Sequence, residues 1–334
     1  MAGAEVRADL WINEYISPWD IYQHGITELL WAAKTKFQDA QIVKTGVYGT
    51  ALVLDGKWQS CSGDEFLYHE PLVQPACVML AAKQRPPRNI LILGGGEGAT
   101  SREALRWNSA ERVTMVDIDG EVVTACKQFL ADMHRGAFDD PRHDLVIGDA
   151  LEYIKDPANT PDGGWDLIIS DLSDPIEDGP SFPLFTKEYF ADLKSILAPH
   201  GLLVVQAGPV SPPELIRHAR LSCTLRSVFN TTSSVVSDVP TYPGPWSFII
   251  AGDEGIEPPS PHRTDELLAA NLRSDIPPLR MFDGEALLGL MHLPKHLRRA
   301  IEAETEVYSM DKPPVFFGSG AVRSVSQDTH TPKA

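Results

Sequence analysis

Long hydrophobic runs are missing from this chain. No stretch approaches the ~18 consecutive apolar residues that a membrane-spanning helix needs. The first ten residues, MAGAEVRADL, also lack the basic segment followed by an apolar core that marks a secretory signal. From these two absences we expect a soluble, cytoplasmic protein without a membrane partner.

Cysteine is scarce as well. The four cysteines form no CxxC pair, and no histidine spacing suggests zinc. We therefore expect reduced, structural thiols and no metal site. These residues are Cys61, Cys77, Cys126 and Cys223.

Basic residues are outnumbered, with 29 Lys and Arg against 46 Asp and Glu, which gives a formal net charge of -17. Binding to nucleic-acid phosphates requires basic patches, so nucleic acid is excluded as a partner. Cationic small molecules would instead be attracted. Many soluble proteins are acidic for solubility alone. The positions of the acids must therefore show whether they form a binding site for cations.

The most informative stretch covers residues 89–119 and reads NILILGGGEGATSREALRWNSAERVTMVDID. Its order is strand, glycine turn, helix, strand and acid. Glycines such as Gly94 let the backbone approach a ligand, and an acid about twenty residues later, here Asp117, can accept hydrogen bonds from ribose hydroxyls. The stretch favours a nucleoside site, although a glycine turn in an ordinary α/β domain is the alternative.

The turn does not suit a dinucleotide. Its GGGEG run lacks the third glycine of a GxGxxG turn, and Glu97 places a negative charge where a pyrophosphate would bind at the helix N-terminus. We therefore expect a nucleoside that carries positive charge, such as an S-adenosyl sulfonium compound. The alternative is that Glu97 only stabilises the helix start.

The remaining pattern predicts an α/β fold. Strand candidates at 90–93, 113–116, 144–148, 166–170 and 201–206 alternate with helical segments at 99–107, 119–133, 149–155 and 186–198. This alternation favours right-handed crossovers and a parallel, Rossmann-like sheet of the methyltransferase type. Two further runs, Thr231 to Val239 and Trp246 to Ala251, should close the sheet as a hairpin.

Four segments are predicted along the chain. The first is a small antiparallel β domain with a hairpin turn at Asp55-Gly56. A helical segment with breaks or a kink at Pro71 and Pro75 leads into the catalytic domain. A proline-rich connection then leads to an extension with two helical stretches in 264–308. The predicted boundaries are 1–75, 76–254, 255–320 and a disordered tail at 321–334.

Acids follow four successive strands of the predicted sheet. Because ligands bind outside the carboxyl ends of such strands, the acids should surround one crevice. Any one of them could be an ordinary helix cap or turn residue, but the whole array would be favourable only around a multiply charged cation. The acids are Glu97, Asp117, Asp149, Asp171 and Asp174.

The segment SDLSDPIEDGPSFPLF places two of these acids on an extended loop, because Pro175 disfavours helix at Asp174. We interpret Asp171 as the base that deprotonates an amine and Asp174 as the holder of a remote ammonium group. Residues 177–180 could close over substrate. Aromatic walls able to make cation–π contacts are expected from Tyr68, Tyr242 and Trp246, with ordinary packing as the alternative.

Several motifs together resemble the polyamine aminopropyltransferases, the spermidine and spermine synthase family, and most closely the thermospermine synthase type. These motifs are LDGKWQ (54–59), DEFLYHE (64–70), GGGEG (94–98), VDID (116–119), GDA (148–150), SDLSDP (170–175), QAGP (206–209) and PTYP (240–243). The resemblance covers roughly residues 9–320. It implies transfer of an aminopropyl group from decarboxylated S-adenosylmethionine, a cosubstrate and not a permanently bound cofactor, with release of methylthioadenosine.

The same resemblance implies roles for individual residues. For the cosubstrate, it implies that Gln38 and Asp117 hold the ribose or methionine-derived part and that Asp149 and Ala150 contact the adenine side. It further implies that Glu97 binds the aminopropyl amine and that the glycine turn at Gly94 lies against the cosubstrate. The residues implied for the amine acceptor are Gln59, Tyr68, His69, Asp171, Asp174 and Tyr242. His69 could instead be a hydrogen-bonded structural histidine. A homodimer or homotetramer built through the N-terminal domain is also implied.

The sequence departs from the usual spermidine synthase residues at five positions, and most of these departures resemble the thermospermine type. They are Glu97 in place of Asp, Asp117 in place of Glu, Ala150 in place of Gly, His69 in place of Gln and Leu172 in place of Ser. The acceptor that this resemblance implies is spermidine, with putrescine as the alternative because PTYP is the spermidine synthase pattern. Two other classes compete with aminopropyl transfer. An S-adenosylmethionine-dependent methyltransferase would share the sheet and the ribose acid, and a non-catalytic polyamine-binding protein would share the acids but lack a working base.

Overall fold

The computed structural model describes residues 8, 10–16, 19–174 and 182–312. The predicted disordered tail and the predicted closing segment at 177–180 lie outside these residues. Among the helices that are described, none is both long and apolar enough to cross a membrane.

The first sheet is a small antiparallel domain. Its strands are β1 (Leu10–Tyr15), β2 (Ile21–Lys34), β3 (Asp39–Thr45), β4 (Thr50–Leu54) and β5 (Lys57–Cys61). They pair in chain order. Asp55 and Gly56 connect the last two with positive φ angles of 49° and 72°, which match the right-handed twist of a tight hairpin. The predicted N-terminal β domain is confirmed.

The second sheet is mostly parallel. Its strands are β6 (Asn89–Gly94), β7 (Arg112–Asp117), β8 (His143–Ile147), β9 (Trp165–Asp171), β10 (Leu197–Pro209), β11 (Thr231–Ser237) and β12 (Trp246–Gly252). Strands β6 to β10 are parallel, whereas β12 runs antiparallel to both β10 and β11. The final hairpin therefore closes the sheet, and the predicted Rossmann-like, methyltransferase-type fold is confirmed.

The strand order is β11-β12-β10-β9-β6-β7-β8. After β6 the chain builds outward on one side through β7 and β8, and it then returns to build the other side from β9. The carboxyl ends of β6 and β9 therefore flank the point where the winding direction reverses. Open α/β sheets bind their ligands in the crevice at this position.

Helices cover both faces of the second sheet, and each face packs into its own apolar cluster. They are α1 (Phe66–Ala82), α2 (Ala99–Ala104), α3 (Gly120–Phe129), α4 (Ala131–His134), α5 (Ala150–Lys155), α6 (Lys187–Ile196) and α7 (Leu215–Arg226). The single helix predicted over 119–133 is thus wrong. Leu130 departs from helical geometry, with φ -113° and ψ 35°, while its side chain is buried.

Helix α1 continues through Pro71 and Pro75, where breaks or a kink were predicted. A proline cannot donate to the carbonyl four residues earlier. For Pro71 that carbonyl belongs to Leu67, and it instead accepts a hydrogen bond of 2.6 Å from the Ser237 hydroxyl. Burial of almost the whole helix then holds it against the sheet.

The C-terminal extension, as far as it is described to residue 312, contains three helices instead of the two that were predicted. They are α8 (Pro261–Asn271), α9 (Gly284–Met291) and α10 (Lys295–Ala303). Pro294 precedes α10 with extended backbone, φ -57° and ψ 149°. The second of the two predicted helical stretches is therefore divided at this proline into α9 and α10.

Glu70 fastens this extension to helix α1. Its buried carboxylate accepts hydrogen bonds of 2.7–2.9 Å from three successive backbone N–H groups, those of Arg280, Met281 and Phe282. The Arg280 guanidinium also lies 3.6 Å from the centroid of the Phe66 ring. The extension therefore contacts the helix that carries Tyr68 and the residues next to it.

Glu70→Ala should lower the free energy of unfolding by about 2–3 kcal/mol, because three buried donors lose a charged acceptor. Urea denaturation measures this loss. Glu257→Ala, at an exposed position, is the control and should change stability by less than about 0.5 kcal/mol. Equal stability of the two variants would contradict the anchoring role.

The predicted domain boundary at residue 75 falls inside α1. The first sheet ends at Cys61, and α1 begins at Phe66 and packs on the second sheet. We propose that the N-terminal domain ends between these two residues, and we keep the other boundaries as predicted.

Candidate active site

A cavity of about 240 Å³ opens at the carboxyl ends of β6, β7 and β9, between the two sheets. Eleven of the twelve predicted site residues line it, and so does Trp246. Eight acidic side chains line the cavity with only one lysine, Lys57, among the described residues. The acids are Glu14, Asp55, Glu97, Asp117, Asp149, Asp171, Asp174 and Glu214.

The glycine turn permits close contact between strands at the floor of this cavity. Gly94 has φ +85°, and a Cβ atom there would lie 2.2 Å from the Asp171 carbonyl oxygen. A Cβ on Gly96 would lie 2.8 Å from Asp117 Oδ2. The glycines are therefore needed to bring the acids that end β7 and β9 close to the turn after β6.

Asp171 is held by two hydroxyl groups. Tyr68 Oη donates to its Oδ1 at 2.7 Å, and Thr100 Oγ1 donates to its Oδ2 at 2.6 Å. Burial and the nearby charge of Glu97 raise the pKa of this carboxyl, and His69 opposes the shift. A carboxylate fixed in this way and facing the cavity has the geometry and the raised pKa of a general base.

The two acids at the end of β7 have different positions. Asp117 lines the cavity, and burial, together with the charges of Glu97, Asp119 and Asp171, raises its pKa to about 6. Asp119 instead caps α3 and accepts hydrogen bonds from Thr35 Oγ1 at 2.6 Å and Gln38 Nε2 at 3.0 Å. Gln38 thus reaches the cavity from the N-terminal sheet, with its orientation fixed by Asp119.

Glu97 contacts a buried histidine. His69 Nε2 lies 2.8 Å from Glu97 Oε1, and its Nδ1 lies 2.9 Å from Glu65 Oε2. His69 has no exposed surface and does not line the cavity. The expectation that His69 lines the acceptor channel is therefore corrected: it lies behind Glu97, because both of its ring nitrogens are bound by protein carboxylates.

Asp174 is also paired. The buried Arg217 guanidinium donates two hydrogen bonds of 2.5 Å to the two Asp174 oxygens, and Gln206 Nε2 donates a third at 2.9 Å. The Arg217 charge and these hydrogen bonds lower the pKa of Asp174 against the opposing effect of burial. Asp174 lines the cavity as predicted, but its carboxylate already binds a cation, which corrects the expectation that it is available to hold an ammonium group.

Asp149 both caps a helix and lines the cavity. Its Oδ1 accepts a hydrogen bond of 2.8 Å from the backbone N–H of Leu151, which starts α5. Ala150 follows, buried, on the same side of the cavity. Among the described residues, Asp117, Asp149 and Asp171 have no basic side chain within ion-pair distance, so the uncompensated acids are fewer than the sequence predicts.

Aromatic rings form one wall. Tyr68 and Tyr242 meet edge to face with 5.9 Å between ring centroids, and Tyr242 meets Trp246 at 4.7 Å. The Tyr242 hydroxyl donates to the backbone carbonyl of Gln59. This wall presents apolar ring faces and edges to the cavity, which suits an alkyl chain that carries ammonium groups.

Two lining residues, Glu14 and Glu214, were not identified from the sequence. Glu14 lies on β1 with its carboxylate 3.6 Å from Lys57 Nζ, and Glu214 precedes α7 and accepts a hydrogen bond of 2.6 Å from Ser211. Burial is the main cause that raises the pKa of Glu14 and Glu214, and the charge of Asp174 adds to it. Glu14 is the one buried residue of β1, which only the structure shows.

One group of side chains has the donor atoms of a metal site. Atoms of His69, Glu97 and Asp171 lie within 4.8 Å of one another. Each of them already has protein partners, since His69 joins Glu65 to Glu97 and Asp171 accepts two hydroxyl hydrogen bonds. We interpret the group as a hydrogen-bonded network.

Fold and site together define an α/β enzyme whose acidic cavity lies where open sheets of this kind bind their ligands. Comparison with known families agrees: residues 65–258 match the spermine/spermidine synthase domain, and residues 10–61 match the spermidine synthase tetramerisation domain. The chain belongs to the spermine/spermidine synthase family of polyamine aminopropyltransferases.

Similar proteins support this assignment over most of the chain. A polyamine aminopropyltransferase from a Synechococcus species is 50% identical over 309 residues, covering 92% of this chain and 98% of the relative. One from Sulfolobus acidocaldarius is 41% identical and covers 91% and 97%. The crystal structure of spermidine synthase from Thermotoga maritima aligns with a TM-score of 0.76 at 25% identity, over 89% of this chain and 96% of that one.

A second similar structure contains a bound transition state analogue. It is a spermidine synthase in complex with the transition state analogue AdoDATO, with a TM-score of 0.77 and 26% identity over 89% of this chain and 97% of that one.

Proposed function

We propose that this enzyme transfers the aminopropyl group of decarboxylated S-adenosylmethionine to spermidine, giving thermospermine and methylthioadenosine. The single observation that carries the proposal is the ring of acids at the carboxyl ends of β6, β7 and β9, next to an aromatic wall. Two cationic reactants suit such a cavity. The chain's resemblance to the thermospermine type favours spermidine as the acceptor.

The donor would lie against the glycine turn. Gln38 and Asp117 would hold the ribose, Asp149 and Ala150 the adenine side, and Glu97 the aminopropyl ammonium group. A carboxylated S-adenosylmethionine would bring its own carboxylate close to Glu97, whereas the decarboxylated form carries only positive charge. Like charges repel, and the neighbouring Asp117 and Asp171 have no basic side chain within ion-pair distance among the described residues, so the site favours the decarboxylated donor over a methyltransferase cofactor.

The reaction we propose is a direct in-line displacement. The acceptor amine loses a proton to Asp171 and attacks the methylene carbon next to the sulfonium, and the carbon–sulfur bond breaks to release neutral methylthioadenosine. Tyr68 and Thr100 hold the Asp171 oxygens in fixed positions. The protein contributes proximity, a base and exclusion of water.

The acceptor would extend from Asp171 along the aromatic wall toward Glu14 and Glu214. Spermidine carries one more ammonium group than putrescine. Because Asp174 is occupied by Arg217, the distal ammonium would bind Glu214, whose hydrogen-bond partner is the neutral Ser211. Glu214, as a further carboxylate beyond Asp171, favours a triamine, and putrescine is the alternative acceptor.

Product chromatography tests the acceptor directly. The enzyme is incubated with decarboxylated S-adenosylmethionine and either spermidine or putrescine, and the products are separated by a method that resolves thermospermine from spermine. We expect thermospermine from spermidine and a much slower formation of spermidine from putrescine. Preferential use of putrescine would establish the alternative.

Glu214→Gln should raise the KM for spermidine about tenfold, since a charge-assisted hydrogen bond of about 1.4 kcal/mol is lost. The KM for the donor should stay within about twofold of the wild-type value. Glu257→Gln, at an exposed position, is the matched control. An unchanged KM for spermidine would remove Glu214 from the acceptor site.

Donor binding should weaken as the pH falls through about 6. Burial and neighbouring acids raise the pKa of Asp117 to about 6 in the empty site, so the carboxylate is lost below that pH and is present above it. Donor dissociation constants measured by calorimetry from pH 5 to 8 should rise on the acid side. Asp117→Asn should bind more weakly at pH 8 and show a smaller pH dependence; an unaltered pH dependence would contradict this role.

A further inference from the structure

The ring nitrogens of His69 face only hydrogen-bond acceptors. Nδ1 lies 2.8 Å from the Glu65 carbonyl oxygen and 2.9 Å from Glu65 Oε2, while Nε2 lies 2.8 Å from Glu97 Oε1. Nδ1 must therefore carry a proton. The contact at Nε2 also needs one proton, and that proton belongs either to His69 or to Glu97.

The surroundings place this proton on the histidine. Glu65 is paired with Arg102, whose guanidinium donates to its two carboxylate oxygens at 3.0 and 2.9 Å. His69 and Arg102 lower the pKa of Glu65 to about 2 against the opposing effect of burial. The carboxylates on both sides raise the pKa of His69 to about 10 despite its burial. A buried imidazolium between two carboxylates has its charge and both of its donors satisfied.

We propose that His69 is a positioning residue, protonated between Glu65 and Glu97, whose positive charge offsets that of Glu97 next to Asp171. Glu97 then keeps its orientation toward the cavity, and Asp171 experiences a nearly neutral pair instead of a bare carboxylate. Asp171 would therefore stay ionised, and ready to accept a proton, at neutral pH.

This role rests on the proposed function, in which Asp171 is the base. The charge of Glu97 raises the pKa of Asp171 and the charge of His69 lowers it. Removing the charge of His69 should therefore raise the pH at which Asp171 becomes protonated. Removing the charge of Glu97 should lower it. The groups that face His69 from the elements packed against it are Glu65, Tyr68, Glu97 and Asp171, with Arg102 behind Glu65.

Nitrogen-15 NMR of the imidazole groups tests the protonation state without using activity. The wild-type spectrum should contain one histidine with two protonated ring nitrogens that persists to pH 9, and this signal should be missing in His69→Gln. The exposed His262, through His262→Gln, serves as the control for assignment. A neutral imidazole signal for His69 at pH 7 would overturn the proposal whatever reaction the enzyme performs.

Turnover as a function of pH, at saturating donor and acceptor, tests the effect on Asp171. The acid limb should move to higher pH by about one pH unit or more in His69→Gln and to lower pH in Glu97→Gln, since a charge within about 4–6 Å changes a carboxyl pKa by this amount. His69→Gln/Glu97→Gln, which removes both charges, should return the limb to the wild-type position. A purely structural histidine would lower turnover without this reversal.

The outcomes are separable. If His69→Gln does not fold, Glu97→Gln alone still tests the direction of the shift. Coincident acid limbs in all variants, with an imidazolium signal present, would overturn the coupling to Asp171 but leave the proposed aminopropyl transfer intact. Failure of that transfer would instead appear as absent methylthioadenosine release in the wild-type enzyme.

Discussion

Asp171→Asn is expected to lower turnover by about 10²–10⁴-fold, the range typical for loss of a general base. The amide keeps the size of the carboxylate, whose two oxygens now accept from the Tyr68 and Thr100 hydroxyls at 2.7 and 2.6 Å. Its Oδ1 can still accept from one of these hydroxyls, and its NH2 group can donate to the other. It cannot take a proton from the acceptor amine. The measurement is the steady-state turnover number with donor and acceptor both saturating.

The KM for the donor separates this role from a binding role. It should change by less than about threefold in Asp171→Asn, because the loss falls on a step after binding. Asp192→Asn, on the exposed side of α6, controls for nonspecific effects of the substitution. Parallel losses of donor affinity and of turnover would show that Asp171 acts mainly in binding.

The position of most site residues could be predicted because local patterns and one topological rule determine it. Apolar runs followed by glycine or acid identified the ends of β6, β7 and β9, and parallel strands bring their carboxyl ends to the same edge. Gly94, Asp117 and Asp171 therefore line one cavity. Their positions at the strand ends follow from the local pattern and the strand order alone, without knowledge of distant side chains.

The partners of these acids could not be predicted in the same way. Asp174 and Arg217 are 43 residues apart and His69 and Glu97 are 28 apart, and nothing in either local pattern indicates the pairing. Glu14 reaches the cavity only because the first sheet packs over the second domain. Charge counting along the sequence thus overestimates the negative charge that substrates meet, since it omits buried cations.

Helix α1 illustrates a related limit. Pro71 and Pro75 predict an interruption on local grounds, yet the helix is continuous. Pro71 has no N–H to donate to the Leu67 carbonyl. That carbonyl accepts a hydrogen bond from the Ser237 hydroxyl, 170 residues away in the chain. Tertiary hydrogen bonds of this kind override a local preference.

Asp174→Asn should lower the free energy of unfolding by about 3–5 kcal/mol, as expected when one member of a buried ion pair is removed. The side chain of Arg217 is only 1% exposed, and it loses the two charge-assisted hydrogen bonds that it now makes with Asp174, whose side chain is 26% exposed. Urea denaturation in the absence of substrates measures the effect. A loss below about 1 kcal/mol would contradict a structural role for the pair.

Asp174→Leu/Arg217→Met distinguishes a structural pair from an ammonium site. Replacing both charges with apolar side chains removes the cost of burying the guanidinium, so stability should return to within about 1 kcal/mol of the wild-type value. If the pair serves mainly to support the cavity wall, the KM for spermidine should then stay within about threefold of the wild-type value. If Asp174 exchanges Arg217 for the substrate ammonium, stability would recover while the KM for spermidine rises by more than about tenfold, because the stable variant would still lack the carboxylate.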